Sequence, residues 1–131
     1  MLRKLLFTLL LCIGLPMMAS EYVGTMEMAG GFKLKEVRVT LDMQGNLTLH
    51  NVKFALMMPV RVDVRIPKVK RKIDRLTCEI ATPYVDDKPQ PKRVVTNLHG
   101  TITPQVLSFS CSFGGKQMHF HGKVKQNNEK Q

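Results

Sequence analysis

Val60-Arg61-Val62-Asp63-Val64-Arg65-Ile66 alternates aliphatic and charged side chains without a break. Successive side chains of a strand point to opposite faces, so this run sets its aliphatics on one face and its charges on the other, as a half-buried strand requires. Seven further stretches carry the same period. Residues 22–28 come first, and Gly30-Gly31 turns the chain. Residues 33–43 follow, with Leu34 apolar early and Val37, Val39, Leu41 and Met43 sharing a face. Gln44-Gly45-Asn46 makes the next hairpin. In 47–56, Leu47 and Leu49 share one face while Val52, Phe54 and Leu56 need the other, so a bulge is expected near His50-Asn51. Met58-Pro59 turns into the opening run. Pro67 ends it, because proline cannot donate to a ladder. Residues 68–74 are ambiguous, with only Val69 and Ile73 apolar. Strands are then expected over 75–81, 93–101, 105–113 and 117–125. Residues 82–92, with three prolines and Asp86-Asp87, read as a loop, and 126–131 as a polar tail.

The fold class is all-β: a single small antiparallel up-and-down barrel of about eight strands. Closing the sheet removes exposed edges and requires 22–28 to pair with 117–125. The rival is a two-sheet sandwich, for which only 82–92 is long enough to cross over. The inward face takes Val60 as well as Val39, Leu41, Phe54, Leu56, Val62, Val64, Phe109 and Phe120. The last eight would line a cavity for a small hydrophobic ligand if the barrel keeps room, and are core if it does not.

The compartment is read from the first twenty residues. Arg3 and Lys4 precede a nearly unbroken apolar run over 5–15, then Pro16, then Ala19 and Ser20. This is the three-part layout of a secretory signal peptide. The run is too short to cross a ~30 Å hydrocarbon core as an anchor. Cys12 lies deep in it, without a small residue before it, and belongs to the removed peptide. Cleavage after Ala19 or Ser20 leaves one exported domain, periplasmic or extracellular, over 21–125, without a membrane-spanning helix. Two cysteines remain, Cys78 and Cys111. In an oxidising compartment they either bridge or stay as buried thiols. A bridge would close a loop of about 33 residues, stabilising by roughly 3–4 kcal/mol.

Tyr22-Val23-Gly24-Thr25, the Gly45–Leu49 hairpin, and Asn51-Val52-Lys53-Phe54-Ala55-Leu56-Met57-Met58-Pro59-Val60 stand in an order that resembles the bacterial calycin-like barrel domain. The resemblance spans about 22–124. It implies a secreted or lipid-anchored barrel of lipocalin-like shape, in a family whose function is largely unassigned. The chain has no tryptophan. The lipocalin Gly-x-Trp signature and the tryptophan walls of an avidin-type biotin site are therefore missing, and neither ligand is implied.

No Gly-x-Ser-x-Gly elbow, His-Glu-x-x-His or glycine-rich phosphate loop occurs. A non-enzymatic chain without a cofactor is expected. His119 and His121 share one strand face, but Met118, Phe120 and Val124 occupy the apolar one. The histidines then lie outside beside Lys123, as solvated groups rather than metal ligands, and His50 and His99 fall in the same polar phase. Asp63 is expected to pair with Arg61 and Arg65. Asp86-Asp87 reads as solvated, with cation binding the alternative.

Lysine and arginine total 20 against 10 acids, a formal charge of +10. The densest patch is Lys68, Lys70, Arg71, Lys72 and Arg75. It draws anionic partners, with a pull that weakens in salt. Export and the few aromatics argue against nucleic acid, which leaves anionic lipid headgroups or acidic glycans of the envelope. A solvated face that keeps the domain soluble is the plainer reading. Two functions follow: a barrel binding a small hydrophobic molecule, or a filled scaffold whose basic surface binds an envelope component or a protein.

Overall fold

The computed structural model describes residues 20–54 and 59–125. Residues 1–19, where the signal peptide is expected, Leu56 with its neighbours at 55–58, and residues 126–131 lie outside the described residues. The chain forms one antiparallel sheet, curled into a half-barrel. Its strands are β1 (Ser20–Met28), β2 (Lys33–Leu41), β3 (Leu47–Val52), β4 (Val62–Ile66), β5 (Lys70–Lys72), β6 (Arg75–Ala81), β7 (Tyr84–Val85), β8 (Lys88–Pro89), β9 (Val95–Ile102), β10 (Val106–Phe113) and β11 (Lys116–Val124). They lie in the order β5-β6-β9-β10-β11-β1-β2-β3-β4-β7-β8.

All eight expected strands are present, with three short ones added. The ladder expected between the first and last strands joins Tyr22 to Val124 and Met28 to Met118. The sheet is nevertheless open. Its edges are β5 and β8, and no ladder joins β4 to β6 among the described residues. The added strands fall in segments whose polarity hid them. β5 is Lys-Arg-Lys, and β7 and β8 form a small hairpin inside the expected 82–92 loop, followed by a 3₁₀ turn at Pro91–Arg93. Both edges are short and carry lysine or proline, which discourages pairing with another chain.

Three bulges set the inward phase. The expected one, between Leu49 and Val52, puts Asn51 at φ 55°. Two more shift the register between Gly24 and Met26 on β1, opposite Glu36 (φ 57°), and between Ser110 and Ser112 on β10, opposite Asn97 (φ 52°). The first of these lets Leu34 and Val37 both face inward despite their odd separation.

Two residues of the expected inward face are exposed. Val60 precedes the first β4 ladder pair, Val52↔Val62, so nothing holds it in phase, and it is 59% exposed. Met43 is 67% exposed because β2 ends at Leu41. There the Asp42 carboxylate accepts bonds from the Gln44 and Asn46 backbone N–H groups, both at 2.9 Å, and bends the chain into a turn. Within the ladder the opening run behaves as expected. Val64 and Ile66 are fully buried, Val62 is half-buried and Asp63 is exposed.

The core is one apolar cluster with no buried polar side chain among the described residues. Gly24 and Gly122 face each other across β1 and β11. A Cβ on Gly24 would stand 2.0 Å from the His121 carbonyl oxygen, and one on Gly122 would stand 2.6 Å from the Phe120 ring. The bare Gly24 lets the β11 backbone approach, and the bare Gly122 makes room for Phe120, which stacks on Phe109 with centroids 5.6 Å apart.

Two ends follow from the strand directions. The near end carries the start of β1 and the connections at 42–46, 67–74 and 103–105. Tyr22 ties it together by donating its hydroxyl to the Thr103 carbonyl at 2.8 Å. The far end carries the longer connections at 53–61 and 82–94.

Candidate functional site

Of the two readings the sequence leaves open for the interior, cavity or core, the described residues form a packed core. Val39, Val64 and Phe120 have no exposed surface, and Phe109 is 1% exposed. A void wide enough for water would leave accessible area on its walls, so these side chains touch protein on every side. Leu41 sits apart from them at the near end. Phe54 and Val62 sit at the far end, half-buried, with Phe54 stacked on Phe113 at 4.9 Å.

Cys78 and Cys111 are both buried free thiols. Cys78 pairs with Leu98 on β9, and Cys111 lies on the next strand beyond. Two ladder spacings put the cysteines about 10 Å apart, beyond the roughly 7 Å that a disulfide tolerates between Cα atoms. Of the two states open to them, the cysteines therefore take that of buried thiols rather than the bridge. The Cys78 thiol faces the Pro67 carbonyl oxygen at 3.8 Å. Burial, and then the nearness of Cys78, pushes the Cys111 thiol up to about 12. Burial also raises Cys78. Neither is a ready nucleophile.

The outer face of β9, β10, β11 and β1 carries three of the four histidines, His99, His119 and His121. Register lines up His99, Ser110, His119 and Glu27 across the four strands. Ser110 Oγ and His119 Nδ1 are 2.8 Å apart. Beside them a shallow open groove of about 230 Å³ is lined by Glu27, Met28, Ala29, Ser110, Gln117, Met118 and His119. The Glu27 carboxylate lies 3.7 Å from Lys33 Nζ, and no hydrogen bond joins it to His119 among the described residues. The row therefore lacks the acid–histidine contact that would orient a general base. His121 is exposed one ladder step away. His50 bonds Thr40 Oγ1 at 2.9 Å, and its pKa is lowered by burial and by Arg38. Among the described residues no three of His, Cys, Asp and Glu gather closely enough to share a metal.

The acids singled out in the sequence are structural. Asp63 accepts the Asn51 N–H at 2.7 Å and so holds the β3 bulge; it makes no ion pair with Arg61 or Arg65 among the described residues. Arg65 pairs with Asp87 at 2.8 Å and lies 4.5 Å above the Tyr84 ring. Asp86 accepts the Asp63 N–H at 3.0 Å. Both aspartates sit at positive φ in the tight β7–β8 turn.

The basic patch is different. Lys68, Lys70, Arg71, Lys72 and Arg75 are all exposed at the near end. Lys70, Arg71 and Lys72 form edge strand β5, and Arg75 opens β6. Lys72 stands directly opposite Arg75, and like charges so placed repel. None of the five contacts a carboxylate among the described residues, whereas Lys33, Arg38, Arg65 and Lys125 each do. The patch is anchored to the barrel. Ile102 donates its N–H to the Asp74 carbonyl at 2.9 Å, and Val69 donates to the Gly45 carbonyl at 3.0 Å. Gly45 is required there, since a Cβ would stand 2.7 Å from the Val69 oxygen.

No family model, curated protein or solved structure matches the chain. No helix among the described residues is long and apolar enough to cross a membrane.

Proposed function

We propose that this chain is an exported, non-enzymatic scaffold of calycin-like type, filled inside. Its near end binds an anionic component of the cell envelope through Lys68, Lys70, Arg71, Lys72 and Arg75. The observation that carries this reading is the uncompensated charge of the patch. The fold gains nothing from setting Lys72 against Arg75, and an anionic partner turns that repulsion into attraction. Edge protection accounts for lysine on β5, but not for five cations of which none pairs with a carboxylate among the described residues, Asp74 of the hairpin turn included.

The test is retention on heparin and on anionic vesicles. Each cation near an anionic surface contributes about 1 kcal/mol. Changing Lys70, Arg71 and Lys72 together to Glu should cost at least a hundredfold in affinity, and wild-type binding should weaken steeply with salt. Equal retention of the variant sinks the reading.

A second reading draws support from Phe54, Val62 and Val85, which sit half-buried at the far end. They suit a small apolar ligand docked at that mouth rather than inside the barrel. Uptake of a fluorescent fatty acid, abolished by Phe54→Asp, would favour it.

A further inference from the structure

The basic hairpin carries an apolar side chain at its tip. β5 and β6 are joined by the two-residue turn Ile73-Asp74, between the opposed Lys72 and Arg75. Ile73 is 91% exposed. Its φ is 54°. Two-residue hairpin turns with positive φ at the first position call for glycine or asparagine, and a β-branched residue there is strained. Ile73 therefore serves neither the turn nor the core. A second exposed apolar residue, Met43, projects from the 42–46 turn at the same end. That turn is hydrogen-bonded to the base of the basic segment through Gly45 and Val69.

We propose that the near end docks on an anionic phospholipid bilayer, with Ile73 entering the headgroup–acyl boundary while Lys70, Arg71, Lys72 and Arg75 engage lipid phosphates. The proposal rests on the anion-binding reading above and adds one claim to it, that the partner has an apolar layer beneath its charge. Cations ringing an exposed apolar tip match such a surface on both counts. A soluble polyanion matches only the charge.

The chain lacks tryptophan, so Ile73→Trp supplies a single reporter. With vesicles containing phosphatidylglycerol, the indole emission shifts to the blue and is quenched by lipids brominated along their acyl chains. With phosphatidylcholine alone it stays unchanged. Ile73→Gly separates insertion from folding. Glycine relieves the strained φ, so the melting temperature rises, while affinity for anionic vesicles falls roughly tenfold and heparin retention is unchanged. Those opposite changes cannot come from unfolding.

Vesicle affinity unchanged in Ile73→Gly, or an indole unquenched by brominated lipid, overturns insertion. If the charge-reversed variant still loses binding in that case, the anion-binding reading survives, with a glycan or other soluble polyanion as partner. If charge reversal has no effect either, both readings fall.

Discussion

Truncating Phe120 to alanine tests whether the half-barrel is filled. The ring has no exposed surface, stacks on Phe109 at 5.6 Å and covers the space left by Gly122. Phe→Ala at a packed site costs about 3–5 kcal/mol, from lost transfer energy and from the void left behind. A domain of this size is stable by about 5–15 kcal/mol, so the loss is a large fraction of the total. At about 4–8 °C per kcal/mol, the melting temperature should fall by at least roughly 12 °C. Phe54→Ala at the far end removes a half-buried ring and should cost about half as much or less. Urea unfolding followed by far-UV circular dichroism measures both, and an unchanged slope shows that the same cooperative unit is being read. A Phe120→Ala cost under about 1 kcal/mol, together with dye uptake by the wild type, would refute the filled interior. Phe120 would then line a cavity that already tolerates missing atoms.

Three further outcomes follow from the same structure. Gly24→Ala should fail to reach a soluble native state, because backbone at the His121 carbonyl cannot move aside without breaking the β1–β11 ladder; a soluble variant with wild-type melting would contradict that register. Cys78 and Cys111 should resist a thiol reagent in the native protein and both react in denaturant. The Cys111 thiol is raised from 9.0 to about 12 in the fold, so the unfolded chain loses its proton first. The stability this contributes is present in full below pH 9 and is lost as pH climbs from about 9 to about 12, and a Cys111→Ala variant should show a shallower alkaline decline. Asp42→Ala should cost about 1 kcal/mol by removing the turn's hydrogen bonds. Burial raises the Asp42 carboxyl, but the bonds from Asn46, Gln44 and Gly45 outweigh it and hold its pKa below the usual value. Its contribution is therefore present above about pH 4 and fades as pH falls through the lowered folded value, which the variant should not show.

Strand content was legible because apolar alternation registers wherever one face is buried. The His50-Asn51 bulge shows itself as a phase change between Leu49 and Val52, and the comparable break between Leu34 and Val37, where Leu34 stands early, marks a second. β5, β7 and β8 carried no such pattern. They lie at the sheet edges or, for β7, next to one, with little or no buried face, so their residues answer to hydrogen bonding and charge rather than to burial. Asp63 was set against its neighbours Arg61 and Arg65 in sequence, whereas its partner is the Asn51 backbone, brought near by the β3–β4 ladder.

The amino-acid sequence alone determined the all-β class, the eight long strands and the inward face within their ladders, Val60 and Met43 beyond the ladder ends excepted, since local period and turn residues suffice for these. It also disclosed the basic patch as composition. Only the tertiary structure decided that the sheet stays open between its edges β5 and β8, that Cys78 and Cys111 remain apart, and that Phe109 and Phe120 pack over Gly100 and Gly122. It alone placed Ile73 bare at the tip of an unpaired basic hairpin. These depend on which strands lie side by side, a relation between residues far apart in the chain that no local pattern encodes.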